Sequence, residues 1–166
     1  MEAQEIDRLA NLCPDLIELR VQIKRSGGNA AELDKYQALG RLRLLRTLVL
    51  DFHCDSRLQP TSNEPAAPKE QVLINAAIDE ALATKIWYLI TSQQPVQHLE
   101  NLHCIPFSQT FFSAPLQFAI ARVGRSYLVR RSSSLLPRGI KIAEIGAEER
   151  EVYMRQLSPY LHGLIM

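Results

Sequence analysis

Apolar residues recur at helical spacing through much of this chain. Ile6, Leu9 and Cys13 fall on one stripe, and Leu16, Leu19 and Ile23 continue it at a similar interval. Pro14 interrupts that pattern. The spacing therefore predicts a short helix and a second start near Pro14, within residues 3–25. Gly27-Gly28 reads as a stop. Asn29 followed by Glu32 has the form of a capping box and predicts a helix over residues 30–54, with Leu39, Leu42, Leu45, Val49 and Phe52 on its apolar side. Arg41, Arg43 and Arg46 sit among these leucines, where their stems would cover the helix edge and their guanidinium groups reach water.

Residues 55–69 break the periodicity with three prolines and read as a linker loop. The pattern returns over residues 70–92. Ile74, Ile78, Leu82, Ile86 and Leu89 form one row, while Val72, Leu73, Trp87 and Ile90 fill other sides. A helix apolar over so much of its girth belongs at the centre of a core. Pro95 predicts a short helix to about residue 103.

Strand-like alternation is clear only in residues 116–145. Leu116–Val123, Tyr127–Arg131 and Ile140–Ile145 read as three strands. Gly124-Arg125 suits a type II′ turn between the first two, and Pro137 and Gly139 mark a second turn. Glu148 and Glu149 then open a C-terminal helix over residues 147–166, with Tyr153, Leu157, Leu161 and Leu164 as its stripe. The expectation is an α+β fold in a single domain, residues 1–166. Its N-terminal helical layer packs on a small three-stranded antiparallel meander and is closed by a C-terminal helix. The helical layer comprises residues 1–54 and 70–104. No internal repeat stands out.

Composition agrees with a globular chain: 46% of residues are hydrophobic and 22% charged. Charge changes the picture more. The net charge of +1 conceals a split, because residues 101–143 hold six basic and no acidic residues. Arg122, Arg125, Tyr127, Arg130, Arg131, Arg138 and Lys141 thus form the candidate surface for an acidic protein or a nucleic acid. Strand alternation divides these arginines between two faces and a turn, which weakens the nucleic-acid reading. Phe107, Phe111 and Phe112 form a candidate apolar docking site. Arg130-Arg131-Ser132-Ser133 also resembles a basophilic kinase site, a weak motif.

Candidate chemistry is sparse. His53-Cys54 and His103-Cys104 supply zinc-ligand types, but adjacent residues on a helix diverge by ~100° and no CxxC is present. Cys54 or Cys104 beside His53, His98 or His103 would be needed for thiol chemistry. Of the carboxylate pairs, Asp79-Glu80 fits a solvated helix face and Glu148-Glu149 a helix N-terminus. Phosphate-binding glycine loops are missing. The three dispersed cysteines suit a reducing, cytoplasmic setting, and the acidic N-terminus lacks the pattern of a signal peptide. Apolar segments are too short to span a bilayer.

The sequence therefore points to a non-enzymatic interaction protein: an adaptor, assembly subunit or regulator, with no cofactor, docking an acidic or apolar protein partner. Self-association is compatible with it. A nucleic-acid-binding regulator using residues 122–141 and a thiol- or metal-dependent enzyme are the alternatives.

Overall fold

A computed structural model describes residues 1–54, 69–107, 119–120, 122–132, 139–146 and 148–149. Among the described residues four helices, α1 (Ala3–Leu12), α2 (Ala30–Leu39), α3 (Lys69–Ala76) and α4 (Glu80–Thr91), accompany five strands. These are β1 (Glu18–Lys24), β2 (Thr47–His53), β3 (Asn101–Phe107), β4 (Ser126–Arg131) and β5 (Ile140–Ile145). The strands form one sheet in chain order, β1-β2-β3-β4-β5. β1, β2 and β3 run parallel, and β4 and β5 continue antiparallel.

This mixed sheet replaces the expected three-stranded meander packed under a helical layer. Residues 18–24 and 47–53, read as helix, are strands, and so is 101–107, where a helix was expected only to about residue 103. Conversely, Ala119-Ile120 and Arg122-Val123 are helical, so the expected first strand of the meander is absent there. β3 takes its place beside β4. Nor is Gly124-Arg125 a type II′ turn, which needs positive φ at its first residue. Among the described residues only Gly27 and Gly28 have positive φ. Gly124 is instead pressed against Pro106, whose Cγ lies 3.0 Å from where a Cβ would stand. The β4 and β5 strands do pair antiparallel as expected. The predicted linker (apart from Lys69, the first residue of α3) and all but Glu148-Glu149 of the C-terminal helix lie outside the described residues.

The sheet contains an internal repeat that the sequence reading missed. Its register aligns Leu19, Leu48 and Leu102; then Val21, Leu50 and Cys104; then Ile23, Phe52 and Pro106. Three residues before the first of these rows stand Leu16, Leu45 and Leu99. Each coil thus reads Leu-x-x-Leu-x-apolar-x-apolar. The same main-chain fork recurs between coils. Ile17 O accepts from Arg46 N and Thr47 N, and Arg46 O accepts from Glu100 N and Asn101 N. All these row residues except Leu16, Leu19 and Pro106 are buried.

Helices α1, α2 and α4 cover this face. Ile6, Tyr36, Leu39, Ile86, Trp87 and Ile90 join the strand residues in one core. The single helix expected over residues 70–92 is broken in two, because Asp79 caps a new start by accepting from Leu82 N at 2.7 Å. α3 belongs to a smaller cluster with Cys54 and Ile120.

The chain enters α2 through a buried polar corner. Gly27 and Gly28 adopt φ of +70° and +77°, which turns the backbone sharply after β1. Asn29 caps α2 as expected, accepting from Glu32 N at 3.0 Å. The Glu32 carboxylate reaches back to Ser26 N at 2.6 Å and Gly28 N at 3.0 Å. It also accepts from the Tyr36 hydroxyl at 2.7 Å and pairs with Arg25 at 2.9 Å. Arg25 lies 5.3 Å from the Phe52 ring centre, a cation–π distance. Burial alone would raise the Glu32 carboxyl. The Ser26, Tyr36, Arg25 and Gly28 groups together hold it below its ordinary value.

Candidate functional site

The sheet face opposite the helices carries the polar strand positions. Side chains alternate across a strand, so the residues between the apolar rows all point that way. One row comprises Glu18, Thr47, Asn101, Arg130 and Lys141, which the pairing register places side by side across five strands. The next contains Arg20, Val49, His103, Leu128 and Ala143. Gln22, Asp51 and Ile105 follow, then Lys24 and His53.

Burial divides this face. Val49, Asp51, His53, His103, Ile105 and Leu128 are buried, whereas Glu18, Arg130 and Lys141 are exposed and Thr47 and Asn101 partly so. In the buried part Arg20 grips Asp51 with two bonds, Nε to Oδ2 at 2.6 Å and a second guanidinium nitrogen to Oδ1 at 3.1 Å. The fork geometry makes this a specific, charge-assisted clamp between β1 and β2. His103 has its pKa lowered to about 4 by burial first and by the nearby Arg130 charge second. It is therefore neutral at pH 7.

The exposed part is a basic rim. Arg130 and Lys141 are direct register partners on β4 and β5. Cross-strand partners have Cβ atoms about 5 Å apart, and like charges there repel. Arg131 is exposed at the end of β4, and Arg46 is exposed just before β2. Arg46 is shared with Glu100 at 3.6 Å. Arg125 belongs elsewhere. It sits at the start of β4 and pairs with Glu144 at 3.0 Å, which raises its pKa further. Arg122 lies beyond it, exposed, in the preceding helical residues. Tyr127 is buried on the helix side of the sheet, so it offers no stacking surface. The sequence-predicted basic set thus falls at two ends of β4. Only Arg130 and Lys141 are brought together on one face; Arg131, the next residue of β4, points to the other. Arg138 lies outside the described residues, as do Phe111 and Phe112. Phe107 ends β3, and its side chain is not among those described.

His53, Cys54, His103 and Cys104 do not converge on one site. His103 and Cys104 are successive strand residues and face opposite sides of the sheet. His53 shares a face with His103 but stands opposite Phe107, four residues further along. Cys54 is buried and donates to Phe52 O at 3.3 Å. No group of three metal-ligating side chains occurs among the described residues. Burial pushes the Cys104 thiol up to about 12, the reverse of what a nucleophile needs. Asp79 caps the start of α4, whereas the sequence reading places it on the solvated face of one longer helix.

A polar groove of about 840 Å³ lies where α1, α2 and α4 end, lined by Asp7, Asn11, Arg41, Arg43, Gln93 and Gln94 among others. Arg41 is paired with Asp7 across it. Gln94 is buried and bridges Leu42 O and Leu99 N, so it ties the second coil to the third. Sequence reasoning missed this groove because its residues come from three separate stretches of the chain: α1 with Pro14, the segment after α2, and the segment after α4.

No helix among the described residues is long and apolar enough to cross a membrane. Searches of family models, curated proteins and solved structures find no match to this chain.

Proposed function

We propose that this protein is a non-enzymatic docking scaffold that receives an acidic segment of a protein partner on the basic rim of its sheet. The observation that carries the reading is the register pairing of Arg130 with Lys141, both of them exposed. Two positive charges side by side across the ladder make a local basic patch that the carboxylates of an acidic segment would complement. The repeated coil supports the same reading. Stacked β/α coils present one strand face as an extended surface, and Leu-x-x-Leu-x-apolar is the spacing that leucine-rich repeats place on such strands. The chain departs from that spacing at the position usually held by asparagine or cysteine, where Lys24, His53 and Phe107 stand.

A nucleic-acid role has weaker support, since Arg125 is engaged with Glu144 and Tyr127 is buried. Affinity capture from nuclease-treated extract tests the choice. The expected result is a protein partner that is lost on Arg130→Glu with Lys141→Glu and released by salt. Capture that survives both reversals, or that disappears with nuclease alone, overturns it.

A further inference from the structure

Among the described residues β1 is an edge of the sheet, and its sequence is charge-complementary to itself when reversed. We propose that two copies of this chain pair antiparallel through β1, about a two-fold axis at Val21, to make one continuous sheet.

The main chain sets which groups are offered. Ile17 O and Arg25 N bond toward β2. Because successive residues of a strand point their main-chain groups to opposite sides, Glu18, Arg20, Gln22 and Lys24 direct theirs outward. The Met1 amine confirms the direction by donating to Gln22 O at 3.2 Å, a bond that pairing would exchange for a strand bond. A second β1 centred on Val21 sets Glu18 against Lys24 of the other copy and Arg20 against Gln22. All four outward residues then meet outward residues, which gives about eight main-chain hydrogen bonds.

Charge selects this register. Two-fold symmetry doubles the Glu18–Lys24 pair, so two opposite-charge pairs flank the axis. Centring the pair on Arg20 sets two arginines face to face. Centring it on Gln22 sets Arg20 against Lys24 twice. Like charges in register are disfavoured, and centring on Leu19 or Ile23 pairs only two outward residues of each strand, so the Val21 centre alone pairs all four without a like-charge contact. Glu18 and Gln22 are exposed, as an edge requires. A C2 interface is self-complementary by construction, and strand addition draws its affinity from main-chain bonds. The inference is independent of the partner assigned to the basic rim, which lies on β4 and β5.

Sedimentation of the full chain over a range of concentrations tests it. The expected result is a monomer–dimer equilibrium. Glu18→Lys or Lys24→Glu alone should weaken the dimer by roughly tenfold, since each creates two like-charge pairs. Glu18→Lys with Lys24→Glu should restore it. Amide hydrogen exchange on the unaltered protein gives a second reading: Glu18 and Gln22 should gain protection as concentration rises. A chain that stays monomeric overturns the proposal. So does a dimer indifferent to the single reversals, a double variant that fails to recover, or growth beyond the dimer, which would mean head-to-tail pairing of β1 with β5.

Discussion

The Tyr36 hydroxyl donates to Glu32 at 2.7 Å inside the core, one turn along the same helix, and this bond closes the corner between β1 and α2. Tyr36 and Glu32 are each about 1% exposed, so neither group has water as an alternative partner. Tyr36→Phe should cost about 1–2 kcal/mol, because it removes one donor to a charged acceptor. Glu32→Ala should cost about 3–5 kcal/mol, because it also leaves the buried Arg25 without its carboxylate. Urea unfolding of the two variants gives the ranking, and an equal loss in both would refute the role assigned to Arg25.

His103 predicts an acid limb in stability. Its folded pKa is about 4, below the ordinary value of 6.5, so between these values the unfolded chain binds more protons than the folded one. Stability should therefore be fully present above pH 6.5 and fall by about 3 kcal/mol as pH drops toward 4. Glu32 adds to this at lower pH, since its depressed carboxyl loses its contribution as pH falls through the folded value. His103→Gln should flatten the limb between pH 6.5 and 4 and leave the lower part. Midpoints of urea unfolding at successive pH values measure it.

The strands missed from sequence explain why the basic cluster was misplaced. Leu45, Leu48 and Phe52 stand at intervals that suit a helix as well as they suit Leu-x-x-Leu on a strand. β2 is also buried on both faces except at Thr47, so it lacks the alternation that marks a half-exposed strand. The coil interval hid the repeat as well: Leu16 to Leu45 is little more than half of Leu45 to Leu99. β3 was obscured by Pro106. In the structure the β4 ladder ends at Cys104–Tyr127, and Pro106 follows on the side that β4 has left. Its missing N–H therefore costs nothing. The β4–β5 pair, the Asn29 cap and the alternation of Arg130 against Arg131 were legible, because each rests on local chemistry. That Glu144 would meet Arg125, and that Lys141 would meet Arg130, depends on register and was not.

Gly40 and Gly28 should respond to alanine for different reasons. At Gly40 φ is −68°, an ordinary helical value, but a Cβ would stand 2.3 Å from Ile90 O and 2.7 Å from Gln93 Cβ. The ends of α2 and α4 must then move apart, which should cost about 2–3 kcal/mol. At Gly28 nothing lies within 4 Å, and the cost is the strain of φ +77°, about 1–2 kcal/mol. Gly40→Ala should also widen the adjoining groove. Thermal unfolding ranks the two.

The coil reading makes a prediction within one leucine-rich stretch. Leu44 and Leu45 are adjacent, yet only Leu45 occupies the repeated position, where it is fully buried; Leu44 is 38% exposed. Leu45→Ala and Leu99→Ala should each cost about 2–5 kcal/mol, whereas Leu44→Ala should cost about 0.5 kcal/mol or less. Leu16→Ala should fall between, because the first coil has no neighbour beyond β1 among the described residues and Leu16 is only partly buried. On the helix expected from sequence, Leu44 would widen the apolar stripe and matter about as much as Leu45. Guanidinium unfolding of the four variants separates the two arrangements. A large loss for Leu44→Ala, or a small one for Leu99→Ala, would remove the basis for aligning the three coils.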